Sequence, residues 1–297
     1  MFSMKQLVVT LVLLFAGSHA LGAPATQVRE PILRFVALGD AEPKPEARFP
    51  GLAAAVDDVN LLAKQEQLDF AIGVGDIAHK GTLVQYQAAS HELERLSLAF
   101  YPIMGNEEHG STVARFLEFA QRWNPELAGL EVPSYVLEFE HIAVVLASPD
   151  HGRDFADEGI AWVTEQLQAL APKPVLLVVH GAQTGVYPEN PDKGITHPDF
   201  ARVIRQPNLA AIISGDLHMD MPRVEHSKQI GDIHYLHIPA LERTKIPDES
   251  HHTPMFRTFA LYADGTLDVE TFIADGSLEP IAEFDYRFRI QPWATAD

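Results

Sequence analysis

Five apolar runs in this chain stop abruptly at a side chain able to hold a metal ion or a proton. Ile32–Leu38 runs into Gly39-Asp40-Ala41-Glu42, Leu68–Val74 into Gly75-Asp76, and Ala99–Met104 into Gly105-Asn106-Glu107-Glu108-His109. Pro174–Val179 ends at His180, and Leu209–Ser214 ends in Gly215-Asp216-Leu217-His218. Short runs rich in Val, Ile and Leu, bounded by glycine, read as buried strands. One Gly-Asp at a strand end is most often a turn, since Asp bonds its own local backbone. That explanation would have to hold separately at every one of these ends, whereas a shared site covers them together. In open α/β folds ligands sit beyond the carboxyl ends of the strands, so residues distant in sequence converge there.

Between the runs the apolar spacing is helical. Leu52, Val56, Val59 and Leu62 predict a helix over 51–65, and Leu83, Tyr86, Leu93 and Leu96 one over 82–98 with Thr82 as its N-cap. Val113, Phe116, Ala120 and Trp123 mark a third, starting after Ser111, and Ile160, Val163, Leu167 and Leu170 a fourth. A short helix is expected near 199–205, after a long loop carrying Tyr187, Asn190, Lys193 and His197. Residues 135–140 and 142–148 predict a hairpin. Beyond His218 the pattern changes to strands alone, at 234–238, 257–262, 267–272 and 284–290, with Asp264-Gly265 as a hairpin turn. Alternation first and strands afterwards imply an α/β body completed by antiparallel strands. No internal repeat or low-complexity linker interrupts residues 24–297, which are read as a single domain.

The amino terminus has the form of a secretory signal. A short positive start ends at Lys5, an apolar stretch too short to span a bilayer follows, and small residues suited to cleavage stand at Ala20 and Ala23. Residues 1–23 are therefore expected to be removed and the mature chain to be exported, periplasmic or secreted, with no membrane span. An uncleaved anchor is the alternative. The chain contains no cysteine, which excludes disulfides and thiolate chemistry. Its net charge of −19 argues against nucleic-acid backbone or an anionic membrane as the main partner. A phosphate-bearing substrate stays compatible, because bound divalent metals invert the local field.

At the five strand ends the sequence resembles the calcineurin-like metallophosphoesterases, whose signature runs Asp-x-His, Gly-Asp, Gly-Asn-His-Glu, a strand-end His and Gly-His-x-His. The counterparts here are Asp40-Ala41-Glu42, Gly75-Asp76, Gly105-Asn106-Glu107-Glu108, His180 and Gly215-Asp216-Leu217-His218, in the same order. The resemblance implies a pair of sheets sandwiched between helices and hydrolysis of a phosphate mono- or diester at a two-metal centre. By position it implies one ion held by Asp40, Glu42, Asp76 and His218. A second would be held by Asp76, Asn106, His180 and Asp216, with Asp76 shared.

Three histidines of that signature are acidic here: Glu42, Glu107 and Asp216. Oxygen in place of nitrogen favours Mn²⁺ or Mg²⁺ over Zn²⁺, with Fe also compatible. Glu107 stands where the family histidine contacts phosphate and protonates the leaving group. An ionised carboxylate cannot donate that proton. Glu107 is then an additional metal ligand, or His109 or His79 supplies the proton, or the chain is a noncatalytic relative that binds metal or a phosphorylated ligand. His79, His151 and Arg153 lie in loops expected near the same edge and are candidates for substrate contact; solvated loop positions are the plainer alternative. His226, His251 and His252 are expected at the surface. No Gly-x-Ser-x-Gly elbow or Gly-x-Gly-x-x-Gly loop supports a different hydrolase or nucleotide fold.

Overall fold

A computed structural model describes residues 29–44, 46–243, 252–291 and 293. The expected signal segment, 1–23, lies outside them.

The first half alternates strand and helix. It runs β1 (Leu33–Leu38), α1 (Pro50–Gln65), β2 (Phe70–Gly73), α2 (Leu83–Leu93), β3 (Phe100–Pro102) and α3 (Val113–Trp123). The hairpin β4 (Tyr135–Glu138) and β5 (Ala143–Ala147) leads to α4 (Asp157–Leu170), β6 (Val175–Val179), the single turn α5 (Phe200–Val203) and β7 (Leu209–Ser214). The remainder is extended: β8 (Ser227–Ile230), β9 (Ile233–His237), β10 (Met255–Leu261), β11 (Thr266–Ile273) and β12 (Tyr286–Arg289).

These strands form two six-stranded sheets, β12-β11-β10-β1-β2-β3 and β4-β5-β6-β7-β9-β8. Parallel pairing joins β1, β2 and β3 in the first sheet and β5, β6, β7 and β9 in the second. The flanking pairs are antiparallel. The architecture is the expected two-sheet α/β sandwich with antiparallel strands in the carboxyl-terminal part. Those late strands divide: β8 and β9 extend the second sheet, and β10 to β12 the first.

Continuous apolar runs follow from burial on both faces. Val144, Leu146, Leu176 and Val178 enter the core shared with the first sheet. Their neighbours Ala143, Val145, Val175, Leu177 and Val179 pack with Ile160, Val163 and Leu167 of α4. In the first sheet Phe35 is in register with both Phe70 and Phe259, and the rings stack at 5.0 and 4.7 Å. A slip of one residue would turn these rings to the other face, so the stack fixes the level at which β1 and β2 end.

Several local expectations change. α2 stops at Leu93, and Thr82, though at its N-cap position, leaves the helix amides alone; its hydroxyl instead faces the His79 carbonyl. α3 is capped by Thr112, whose hydroxyl accepts the Arg115 amide. At α1 no local side chain caps the terminus, which begins Phe49-Pro50. Glu242, 190 residues away, accepts the Leu52 amide at 2.8 Å instead.

Burial pushes the Glu242 carboxyl up to about 7. Its folded value lies above its unfolded value, so protonation favours the folded state. That contribution is full below about 4.5 and is lost as pH rises through about 7. Glu242→Gln, which keeps an acceptor at the helix but cannot ionise, is therefore expected to gain stability relative to wild type as pH rises from 5 to 8. Urea denaturation of both proteins across that range reads the difference; parallel curves would refute it.

Candidate metal centre

Four strand-end residues adopt the left-handed backbone region that side chains normally avoid: Asp40 (φ 39°), Asp76 (φ 50°), Asp216 (φ 68°) and His218 (φ 52°). Such conformations persist only where surrounding contacts over-determine them. Here the contacts are identifiable. Fully buried Glu108 accepts four backbone N–H groups: Asp76 and Gly105 at Oε2 (3.0 and 2.7 Å), and Ile77 and Ala78 at Oε1 (both 2.8 Å). It thereby ties the loop after β2 to the loop after β3. Burial and the neighbouring Asp76 push this carboxyl up to about 7, against the pull of the amides. The two loops meet glycine against glycine. A Cβ on Gly105 would lie 2.4 Å from the Asp76 amide nitrogen, and one on Gly75 would lie 2.7 Å from the Gly105 Cα.

The ends of the two sheets are joined at the same place. His180, following β6, is hydrogen-bonded through Nδ1 to the Val74 carbonyl at 2.9 Å, and the Asp216 amide donates to Asp40 Oδ1 at 3.1 Å. The Met104 amide donates to Ser148 Oγ at 2.9 Å. With Nδ1 carrying the proton, Nε2 of His180 is left facing Asn106 Oδ1 at 3.3 Å and Asp76 Oδ1 and Asp216 Oδ1, each at 3.4 Å. His218 Nε2 lies 3.5 Å from Asp76 Oδ2, 3.6 Å from Glu42 Oε1 and 3.8 Å from Asp40 Oδ1. Two donor groups result, Glu42–Asp76–His218 and Asp40–Asp76–His180, each with its atoms within 4.8 Å, and Asp76 belongs to both.

Burial alone would neutralise these acids. Asp76 is nevertheless held well below the usual carboxylate range by His180 and His218, and Asp76 and Asp216 raise His180 in return. Glu42 goes the other way, its burial outweighing the help of Arg243, whose Nη2 donates to Oε1 at 2.6 Å. Within this cluster three buried carboxylate oxygens accept no hydrogen bond: Asp40 Oδ2, Glu42 Oε2 and Asp76 Oδ2. Buried acceptors without donors are costly, and a bound cation supplies the missing partner. These residues fit a divalent ion.

The other candidates separate. Glu107 Oε2 faces His79 Nδ1 at 2.7 Å and accepts the Lys80 amide at 2.9 Å, while Oε1 accepts from Lys44 at 3.2 Å. Burial opposes its ionisation, but the Lys80 amide and the Lys44 ammonium bring it below its ordinary value. Glu42, His79 and Glu107 form a third close donor group. His109 turns aside: its Nε2 donates to the Pro149 carbonyl at 3.0 Å, and burial lowers its proton affinity. His151 is exposed, with no hydrogen bond from its ring to the site among the described residues. Arg153 is drawn in, its Nε contacting both Asp216 oxygens at 2.8 Å.

Lys44 and Arg243 had no role in the sequence reading and Lys193 was only one residue of a long loop, because no period or motif distinguishes a basic residue in a polar loop. Glu108 was marked as part of the strand-end stretch, but its four amide partners were not legible there. Tyr187 is buried against His237, and His197 pairs with Asp157 at 3.0 Å. Two of the tail histidines expected at the surface are not there. The His252 side chain is 9% exposed and pairs with Asp220 at 2.9 Å, and His226 is half-buried; His251 lies outside the described residues.

Strand-end carboxylates and imidazoles from two facing sheets, with unsatisfied oxygens between them, form clusters that could hold a divalent metal ion. The calcineurin-like phosphoesterase family matches residues 33–220, and the chain belongs to it. Its members use divalent metals. A 3′,5′-cyclic-nucleotide phosphodiesterase of Nostoc is 24% identical over 244 residues, 74% of this chain and 83% of that protein. The fold is shared with GAP50, the anchor in the inner membrane complex of Plasmodium (TM-score 0.61, 14% identity, 89% of this chain and 91% of that one). It is shared also with a purple acid phosphatase from yellow lupin seeds (TM-score 0.60, 11% identity, 88% of this chain and 54% of that one).

Removing the Glu108 carboxylate would leave four amides without acceptors. Glu108→Ala is expected to cost roughly 3 kcal/mol or more of folding stability. Chemical denaturation measures this, and a loss under about 1 kcal/mol would mean that the loops hold without it.

Proposed function

We propose that this chain is an exported, metal-dependent phosphoesterase that hydrolyses a phosphodiester, with 3′,5′-cyclic nucleotides as the substrate class. The observation that carries the reading is the convergence of Asp40 Oδ2, Glu42 Oε2 and Asp76 Oδ2, buried without donors at the joined ends of both sheets. The choice of substrate is supported by the Nostoc relative, matched over most of its length. Asp40, Glu42, Asp76 and His218 would hold an ion at this point, and Asn106, His180 and Asp216 surround the neighbouring position. Bound divalent metal supplies Lewis acidity and neutralises charge developing on a phosphoryl group. An oxygen-rich donor set favours Mn²⁺ or Mg²⁺ over Zn²⁺.

His79 is assigned as the proton donor to the leaving oxygen. Glu107 is a positioning residue, taking the His79 Nδ1 proton in a hydrogen bond and leaving Nε2 to face a substrate. His109 is a poorer candidate because its Nε2 is committed to the Pro149 carbonyl. The second reading, a noncatalytic binder of metal or a phosphorylated ligand, is favoured by one feature. Glu107 puts a negative charge, paired with Lys44, where the resembling proteins carry a histidine.

Assays on 3′,5′-cyclic AMP and aryl phosphate mono- and diesters with Mn²⁺, Mg²⁺ or Zn²⁺ separate the two. Turnover of diesters is expected with Mn²⁺ or Mg²⁺ and is lost in Asp76→Ala. His79→Ala is expected to lower kcat on the cyclic nucleotide by roughly a hundredfold. The loss should be far smaller on an aryl ester whose leaving group needs no proton, and equal losses on both would refute the assignment. Tight metal binding without turnover of any ester would establish the binding reading. Export predicts a mature chain starting at Leu21 or Pro24 outside the cytoplasm; intact Met1 in the cytoplasmic fraction would overturn it.

A further inference from the structure

The two implied metal positions are not equivalent. At the first, Asp40, Glu42 and Asp76 each keep a buried oxygen free of any hydrogen bond. At the second, the Asp216 carboxylate is already taken. Arg153 Nε lies 2.8 Å from both of its oxygens, and Lys193 Nζ lies 2.8 Å from Oδ1 and also reaches the Asp216 carbonyl. The close donor group on this side is Asp40, Asp76 and His180, and among the described residues no such group includes Asp216. A dication bound through this carboxylate would have to displace two cations or sit beside them.

Sequence and geometry agree here. A histidine at position 216, as in the signature the chain resembles, could not hold a guanidinium and an ammonium at once; a carboxylate can. Arg153 hydrogen-bonds to Asp216 through Nε alone, its side chain is 34% exposed, and that of Lys193 is 12% exposed. The Arg153 terminal amines are therefore free of protein hydrogen bonds among the described residues, on a partly exposed side chain. Planar donors of this kind match phosphate oxygens.

We propose that Arg153 and Lys193, anchored by Asp216, take the place of the second metal ion. The centre holds one divalent cation, at Asp40, Glu42, Asp76 and His218, and the phosphate group of the ligand docks on the Arg153 guanidinium and the Lys193 ammonium. This rests on the metal-dependent reading above and changes the number of ions it requires. It also assigns substrate binding to a lysine that carries no motif.

The decisive measurement is ion stoichiometry, which needs no substrate turnover. Full-length mature protein is dialysed against Mn²⁺ and analysed for metal per chain, with electron paramagnetic resonance of the bound Mn²⁺. One ion per chain with an isolated-ion spectrum is expected, and Asp216→Ala should retain it while Asp76→Ala loses it. In the Mn²⁺-loaded protein, Arg153→Ala and Lys193→Ala should each weaken binding of inorganic phosphate roughly tenfold or more, with metal content unchanged. Two ions with a spin-coupled spectrum in wild type would overturn the proposal and leave the phosphoesterase reading standing. No bound ion would overturn both. Wild-type stoichiometry decides the matter even if a variant fails to fold.

Discussion

The site depends on one buried carboxylate that is not itself a metal candidate. Glu108 gathers four backbone amides from two loops, and the backbone it holds includes the left-handed Asp76 and the close-packed Gly105. Without those bonds the loops after β2 and β3 would lose the contact that sets their spacing. With them, Asp76 presents one oxygen to each donor group, and Asn106 and Glu107 are delivered to the same edge. A carboxylate suits this task because it can accept several hydrogen bonds and donates none.

Charge balance governs the remainder. Asp40, Glu42, Asp76 and Asp216 are fully buried at one spot, in a chain already strongly acidic. Such a cluster is tolerated only with cations close by. The protein supplies some itself: Arg243 at Glu42, Lys44 at Glu107, and Arg153 and Lys193 at Asp216. These cations are distributed unevenly. The Asp216 side is satisfied, while Asp40, Glu42 and Asp76 each keep an oxygen in need of a positive partner. The asymmetry directs both the metal-dependent reading and the distinction drawn between its two positions.

Much of the fold was legible. Strands buried on both faces announce themselves as unbroken apolar runs, and the helices that cover them carry regular apolar spacing. Glycine followed by a polar residue at four strand ends, and His180 at a fifth, marked the site. Other features had no local signal. β8, Ser227–Ile230, is a half-exposed edge strand with little apolar character, and its pairing with β9 exists only in the sheet. The cap of α1 comes from Glu242, far along the chain, so the segment before the helix contains nothing to announce it. His252 reads in sequence as one of an exposed pair, but in the fold it is paired with Asp220.

Residue order alone therefore determined the strand-end pattern, the family and the candidate donors Asp40, Glu42, Asp76, Asn106, His180, Asp216 and His218. Those properties are encoded in short stretches, where hydrophobic period and a following polar residue suffice. Tertiary structure decided which oxygens remain unsatisfied, that His79 rather than His109 faces Glu107, and that Arg153 and Lys193 close on Asp216. Each of these is a contact between segments separated by tens of residues. Whether a carboxylate binds a metal or an arginine depends on what the fold brings within 3 Å of it, and no local pattern in the chain records that distance.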